Sequence, residues 1–309
     1  MTMPQRPLLA PWCRLVEDGD RLLLEHARSV AVLEGGAVRT LLPELLPLLD
    51  GSRTRAELGD ALGAAARPAV EQALQLLAAN GLLVDGGPEA GRNAFAVAAA
   101  YRLGPVEAGK RLREARVALV GESRVGRAVG RLLRRCGIGS VMRVGWEPDV
   151  LADLAVVAPA PSEAGRLESW NAAALGRGTR WLAIRPFDGA MVTVGPLVVP
   201  GESACHACLL LRLGGHLEYG ADFARIERTP VAVEAGAPLE TIAAGVAAQL
   251  VLGWVGGRDM RLPGVVQVLE SGPPLALSAH PLLRVPRCPA CSPVERCAPR
   301  VPWSEAVAA

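Results

Sequence analysis

Two short cysteine pairs constrain the fold of this chain more than any other feature. Cys205 and Cys208 form one C-x-x-C pair, and Cys288 and Cys291 form a second. Two thiolates at this spacing can bind one face of a tetrahedral ion, and two such pairs complete a four-cysteine zinc site with Zn–S bonds of about 2.3 Å. Because a closed site leaves no position for substrate, we expect a structural Zn²⁺ that ties the second pair to the first.

The other cysteines and the neighbouring histidine indicate no further site. Reduced buried thiols, or one redox pair, are the alternatives to zinc, but neither explains why both pairs share one spacing. His206 lies between two expected ligands and is interpreted as a bystander. Cys13, Cys136 and Cys297 have no partner by spacing and are expected to be isolated thiols.

A glycine-rich turn follows an apolar strand in the stretch VALVGESRVGRAVG, residues 117–130. A dinucleotide loop needs G-x-G-x-x-G so that backbone amides can reach the phosphates. The corresponding residues here are Gly121, Ser123 and Gly126, and Glu122 places a carboxylate beside the phosphate position. We interpret this as a degenerate nucleotide loop whose glycines pack helix against strand, so ATP is not expected to bind this chain.

The chain is expected to form two domains of different character. Residues 1–88 contain three short strand patterns followed by three helical patterns, which predicts a winged-helix-like domain. Residues 89–115 are predicted to form a linker and a connecting helix. The turn-rich stretch 87–93 marks the linker. Residues 116–309 alternate short apolar strands with helices, which is typical of a Rossmann-type α/β domain with a mostly parallel sheet.

Two local motifs support the prediction for the first domain. Asp18 and Gly19 form the preferred dipeptide of a tight hairpin turn between two strands. Thr54 and Glu57 have the spacing of a capping box at the start of a helix.

Composition limits the partners and the compartment. The chain has 309 residues, half of them apolar, and a net charge of only +2, which argues against nucleic acid as an obligatory partner. We find no run of about 18 apolar residues and no signal-peptide pattern at the N-terminus. We therefore expect a cytoplasmic protein with no membrane span.

The second domain resembles a known family. The glycine-loop strand, the late helix LETIAAGVAAQLVLGWV and the two C-x-x-C pairs together resemble the ThiF-like family, which is related to ubiquitin-activating enzymes. Members that adenylylate a carboxyl terminus carry an ATP- and magnesium-binding segment after the second strand. Here Gly145, Trp146 and Glu147 are followed by the next strand at Leu154, so that segment is missing. The resemblance therefore implies the fold without the adenylylating activity.

The first domain looks like the PqqD-like recognition element of peptide-modifying pathways. In that family the leader of a precursor peptide adds as a strand beside the third strand and lies against the third helix, a form of β-augmentation. The resemblance implies that two sets of residues, one on the third strand and one on the third helix, face each other across the bound leader. These residues are Val30, Val32 and Glu34, which face Val70, Leu74 and Leu77 or their neighbours.

The combination of the two domains resembles the partner subunits of azoline-forming cyclodehydratases. In those systems a YcaO protein uses ATP to activate a backbone amide, so that Cys, Ser or Thr side chains close to thiazolines or oxazolines. The resemblance implies a leader-binding scaffold that is no enzyme by itself and that delivers a ribosomal precursor peptide of the bacteriocin or thiopeptide type. Its expected partners are the precursor leader and a YcaO-family protein, and a homodimer is left open.

Three other functions compete with the scaffold. An active ThiF-like adenylyltransferase acting on a carrier-protein C-terminus is disfavoured by Ser123, Gly145 and the missing ATP segment. A nicotinamide oxidoreductase is disfavoured because Glu147 comes two places late for the ribose-binding acid. A winged-helix DNA regulator is disfavoured because the third helix carries a single basic residue, Arg67, at its start.

Overall fold

A computed structural model describes residues 3–26, 29–86, 92–101, 103–147, 151–229 and 234–292. It divides into two compact units, Met1–Leu112 and Arg113–Ala309. The division falls inside the predicted connection 89–115, of which residues 89–91 and 102 lie outside the described residues. The two units are described separately.

The first unit contains two small antiparallel sheets. One has the order β2-β3-β4, and the other pairs β1 with β5. The strands are β1 Pro7–Leu9, β2 Arg14–Asp18, β3 Arg21–His26, β4 Ser29–Glu34 and β5 Leu83–Asp85. The helices are α1 Gly36–Thr40, α2 Leu42–Leu45, α3 Arg55–Ala61, α4 Arg67–Ala79, α5 Arg92–Tyr101 and α6 Pro105–Glu114, which ends two residues past the division.

Local sequence accounts for where these elements begin and end. Asp18 and Arg21 are paired at the end of the β2–β3 hairpin, and Gly19 between them has a left-handed φ of 58°. The predicted capping box is confirmed: the Thr54 side chain accepts from the Glu57 N–H, and the Glu57 carboxylate accepts from the Thr54 N–H at 2.6 Å.

Strand alternation separates the two faces of the three-stranded sheet. Leu22, Leu24 and Leu33 point into the core of the unit. The opposite face carries the cross-strand row Val16, Leu23 and Val32. Side chains alternate along a strand, so the residues between the inward-pointing ones lie on the opposite face of the sheet.

The second unit is built on one mixed sheet of seven strands in the order β12-β11-β10-β9-β8-β6-β7. The strands β6 to β9 pair in parallel, as the sequence analysis predicted. The strands β10, β11 and β12 extend the sheet in antiparallel pairs, which the sequence analysis did not predict. The strands are β6 Arg116–Val120, β7 Ser140–Val144, β8 Leu154–Val157, β9 Trp181–Arg185, β10 Met191–Val198, β11 Val265–Glu270 and β12 Ala276–Pro281. The helices are α7 Arg124–Arg135, α8 Arg166–Arg177, α9 His206–Gly215, α10 Gly220–Glu227 and α11 Ala237–Val255.

The longest helix, α11, packs against α7 and β10. Within the described residues it is the one helix long and apolar enough to cross a membrane by length and composition. Small side chains, Ala243, Ala244 and Ala247, are buried along it. This packing is typical of a core helix.

Candidate functional site

The four predicted zinc ligands lie together. The Sγ atoms of Cys205 and Cys208 are 3.9 Å apart, those of Cys205 and Cys288 are 3.9 Å apart, and those of Cys208 and Cys291 are 3.5 Å apart. All four lie within 4.8 Å of one another. A tetrahedral ion with bonds of about 2.3 Å requires sulfur separations of about 3.8 Å, whereas a disulfide requires about 2.05 Å. The prediction that the two pairs meet is confirmed, and the geometry is compatible with one metal ion.

Local backbone geometry aims the thiols inward. Cys205 is the residue that precedes α9, and Cys208 lies in its first turn. The second pair follows β12, where the Cys288 N–H donates to the Val285 carbonyl and the Ser292 N–H donates to the Cys288 carbonyl. The Val285 N–H donates to the Cys208 Sγ at 3.3 Å. A backbone amide aimed at a ligand sulfur stabilises its thiolate.

One arginine that sequence reasoning missed ties the two pairs together. The Arg284 guanidinium donates to the Gly201 carbonyl at 2.7 Å, to the Cys291 carbonyl at 3.0 Å and to the Ser292 Oγ at 2.6 Å. Gly201 lies just before the first pair, whereas Cys291 belongs to the second pair and Ser292 follows it directly. The planar guanidinium fork can make these bonds together, which an ammonium cannot.

The thiols of Cys205, Cys208 and Cys288 do not ionise independently. The hydrogen bond from the Cys205 thiol, assisted by the Val285 amide, lowers the pKa of Cys208 to about 4. The same hydrogen bond and burial raise the pKa of Cys205, and burial raises that of Cys288. The Cys208 thiolate thus forms readily, and its negative charge opposes the ionisation of Cys205 and Cys288. A divalent cation with a preference for sulfur would stabilise all four thiolates.

The remaining cysteines do not join this cluster. Cys13 and Cys136 are half-buried free thiols that belong to no metal-binding group within the described ranges, and burial raises the pKa of each. Cys297 lies outside the described residues.

The glycine loop is held tightly against the end of β8. Gly121 has a left-handed φ of 90°, and a Cβ there would lie 2.4 Å from the Ala158 carbonyl oxygen. A Cβ at Gly126 would lie 3.1 Å from the Ala158 Cβ. Ser123, in place of the middle glycine, caps α7 by accepting from the Gly126 N–H at 3.0 Å. These residues therefore serve packing and capping.

One carboxylate of the chain itself binds a backbone amide of the loop. Glu163 accepts from the Glu122 backbone N–H at 3.2 Å, from the Ala160 N–H at 3.0 Å and from the Trp146 Nε1–H at 2.9 Å. Partial burial opposes its ionisation, but the three hydrogen bonds outweigh this effect and hold the pKa of Glu163 below its ordinary value. A phosphate at this loop would have to displace a carboxylate that already binds a loop amide.

The residues predicted to bind a peptide fall into two separate groups. Val30, Val32 and Glu34 share the solvent-facing side of β4, where Val30 is 55% exposed and Val32 is 49% exposed. The predicted helix residues are fully buried in the core of the unit, and they are Val70, Leu74 and Leu77. The structure does not bring the two groups face to face, because Ala31 and Leu33 are the β4 residues that point toward the helices.

A cleft of about 250 Å³ lies beside β4. Its walls come from the start of β4, including Val30, from the segment that joins α4 to β5, and from Trp12 and Ala99. None of the residues that line it carries a charge. On its outer side β4 pairs with no other strand in the described part of the unit.

The fold of the chain is similar to those of two heterocyclase structures. A heterocyclase in complex with substrate and cofactor is 25% identical, with a TM-score of 0.75 over 93% of this chain and 39% of that chain. The heterocyclase TruD is 23% identical, with a TM-score of 0.75 over 94% of this chain and 43% of that chain. This chain thus spans about two fifths of the heterocyclase chains that it matches.

A third similar structure is comparable to this chain in length. E. coli MccB with AMPCPP and MccA is 15% identical, with a TM-score of 0.64 over 92% of this chain and 99% of that chain. No protein-family model matches the sequence. No curated protein matches it either.

Proposed function

We propose that this chain is a scaffold that binds the leader of a ribosomal precursor peptide and delivers it to a YcaO-family cyclodehydratase, which forms thiazolines or oxazolines. The observation that carries this proposal is the outer edge of β4, which pairs with no other strand among the described residues and lies beside an uncharged cleft. The first unit is then a winged-helix-like, PqqD-like recognition element, and the second a ThiF-like domain without catalytic chemistry of its own.

The edge of β4 suits an added peptide strand. Backbone groups on an unpaired edge can bond to an extended peptide, and a neighbouring cleft can take alternate side chains of that peptide. Val30 both lies on β4 and lines the cleft, so it is the predicted binding residue with the strongest support. The uncharged walls favour an apolar side chain in the leader. Val70, Leu74 and Leu77 support the core that holds the cleft walls in position.

Two further features support a scaffold without nucleotide chemistry. Glu163 binds a glycine-loop amide that a phosphate would need, and Glu122, paired with Arg143, adds a second carboxylate. The matched part of the heterocyclase bound to substrate and cofactor is 39% of that chain, and we assign the ATP-dependent step to a YcaO-family protein.

We assign the cysteine cluster a structural Zn²⁺. The sulfur separations fit a tetrahedral four-thiolate site, and the bound ion would cross-link the segment after β12 to the start of α9. Such a site stabilises the folded state because its ligands are organised only there.

The test is fluorescence anisotropy with a labelled leader peptide encoded by a short reading frame beside this gene. Val30→Asp should weaken binding at least about tenfold, since it places a charge in an uncharged cleft. Val16→Asp is the matched control, because Val16 is 49% exposed on β2 of the same sheet and does not line the cleft. Absence of binding to the wild type, or equal effects of the two variants, would refute the proposal.

The likeness to MccB keeps one alternative open, an active adenylyltransferase on a carrier-protein C-terminus. It predicts exchange of pyrophosphate into ATP when a substrate peptide is added. The scaffold predicts no exchange above that of a reaction without the protein. Measuring exchange with and without the protein separates the two functions.

A further inference from the structure

A second and larger cleft lies in the second unit, beside the cysteine cluster. Its volume is about 690 Å³, within the range of about 300–1,000 Å³ that small-ligand sites occupy. Helices α8, α9 and α10 form its walls, with Leu210, Leu211 and Phe223 among the apolar side chains and Pro289 from the second cysteine pair. A recess of about 260 Å³ shares Leu210 and three other lining residues with it.

Glycines shape this cleft. A Cβ at Gly220 would lie 2.2 Å from the Gly214 carbonyl oxygen, so α9 and α10 approach each other through bare backbone. Gly215 also lines the cleft, but a Cβ there would meet no atom within 4 Å. A larger side chain at Gly215 can therefore reduce the volume of the cleft without displacing its walls.

The lining carries no net charge. Glu168 and Arg228 are its two charged residues, and they form an ion pair with a 2.8 Å separation between the Arg228 Nε and the Glu168 Oε2. A phosphate or a carboxylate would find no unpaired cation among these lining residues. The cleft therefore suits an uncharged, largely apolar ligand.

One buried polar residue belongs to the floor of the cleft. His206 is 3% exposed, lines both the cleft and the recess, and its Nδ1 has no hydrogen-bond partner within the described residues. Asn171 accepts from the His206 backbone N–H at 3.1 Å, and the imidazole lies against Trp181 with ring centroids 6.2 Å apart. An unpaired buried polar group costs about 1–3 kcal/mol, which a ligand with the right polar atom would recover.

We infer that this cleft binds an uncharged apolar segment of the precursor peptide, with one apolar side chain among Leu210, Leu211 and Phe223 and the peptide backbone against His206. A peptide backbone offers both an N–H and a C=O, so it can pair with Nδ1 in either neutral tautomer. A pure hydrocarbon ligand would leave Nδ1 unpaired. The inference rests on the proposed function, since it names a second contact for the same substrate.

The test compares the affinities of the full precursor and of its leader alone for the full-length protein. A second contact on the same peptide raises affinity through effective concentration. We expect the full precursor to bind at least about tenfold more tightly than the leader. Gly215→Leu should bring this ratio close to one without changing the affinity for the leader. Gly176→Leu is the control, because Gly176 is exposed on α8, does not line the cleft, and a Cβ there also meets no atom within 4 Å.

A ratio near one in the wild type, or a ratio that Gly215→Leu does not change, would overturn the inference while the leader still binds. If the leader itself fails to bind, the proposed function fails, and a direct probe decides about the cleft. That probe is N-acetyl-Leu-Phe-amide, followed through the ¹⁵N resonance of His206 Nδ1, with N-acetyl-Glu-Asp-amide as the charged control. A shift that occurs with the apolar amide in the wild type and disappears in Gly215→Leu supports the cleft, and no shift in the wild type overturns it.

Discussion

The Glu163 carboxylate accepts a hydrogen bond from the Glu122 backbone N–H at 3.2 Å, although the two residues are 41 positions apart in sequence. The amide belongs to a loop whose relatives in nucleotide-binding folds bind phosphate. In this chain a carboxylate from the turn before α8 binds there. This contact makes the glycine loop part of the internal structure of the unit.

Glu163→Gln should destabilise the protein by about 1–3 kcal/mol, because it weakens three hydrogen bonds to a charged acceptor and turns one acceptor into a donor. Urea denaturation monitored by circular dichroism measures the change. Glu218→Gln is the control, since Glu218 is exposed and lies between α9 and α10. Equal stability of the two variants would contradict a specific role for Glu163.

The contribution of Glu163 should also depend on pH. Its pKa is lowered in the folded state from an ordinary value of 4.5, so its stabilisation is complete above that value and is lost as the pH falls through the lowered pKa. The difference in unfolding free energy between wild type and Glu163→Gln should therefore shrink as the pH falls below about 4.5. A difference that stays constant over this range would exclude the ionised carboxylate as its source.

Cys288→Ser should remove most of the bound metal. The wild type should contain about one zinc per chain by inductively coupled plasma mass spectrometry, and loss of one of four ligands should lower both the metal content and the thermal midpoint. Cys136→Ser replaces a half-buried thiol outside the cluster and should keep both. Full zinc content in Cys288→Ser would show that the cluster is not the zinc site.

Arg284→Lys should loosen the cysteine cluster without removing a ligand. The lysine ammonium cannot make the forked bonds to Gly201, Cys291 and Ser292, so transfer of zinc to a chelator should become about tenfold faster. Arg287→Lys is the matched control, because Arg287 is an exposed neighbour of Cys288. Equal transfer rates for the two variants would mean that Arg284 does not support the site.

Gly121→Ala should be more destabilising than Gly137→Ala. Both glycines have a left-handed φ, which costs alanine about 1–2 kcal/mol. A Cβ at Gly121 also overlaps the Ala158 carbonyl oxygen, whereas one at Gly137 meets no atom within 4 Å, so Gly121→Ala should lose a further ~1–3 kcal/mol. Thermal unfolding of the two variants checks the order, and the reverse order would contradict the close packing of the loop on β8.

Features that depend on neighbours in sequence could be predicted from the sequence. The capping box at Thr54 and the hairpin at Asp18 follow from residues a few positions apart, and so does the closeness of the two thiols within each C-x-x-C pair. The meeting of the two pairs could also be predicted, because a tetrahedral ion needs four ligands and each pair provides two. These predictions rest on local backbone geometry and on the chemistry of one ion.

Contacts between distant residues needed the folded chain. Nothing near Glu163 or Arg284 in the sequence indicates that one meets a glycine-loop amide and the other spans both cysteine pairs. The periodicity of α4 and β4 identified apolar residues, but it could not say that Val70, Leu74 and Leu77 face the core while Val30 and Val32 face solvent. Periodicity defines the two faces of an element, whereas the packing of the other elements selects which face is buried.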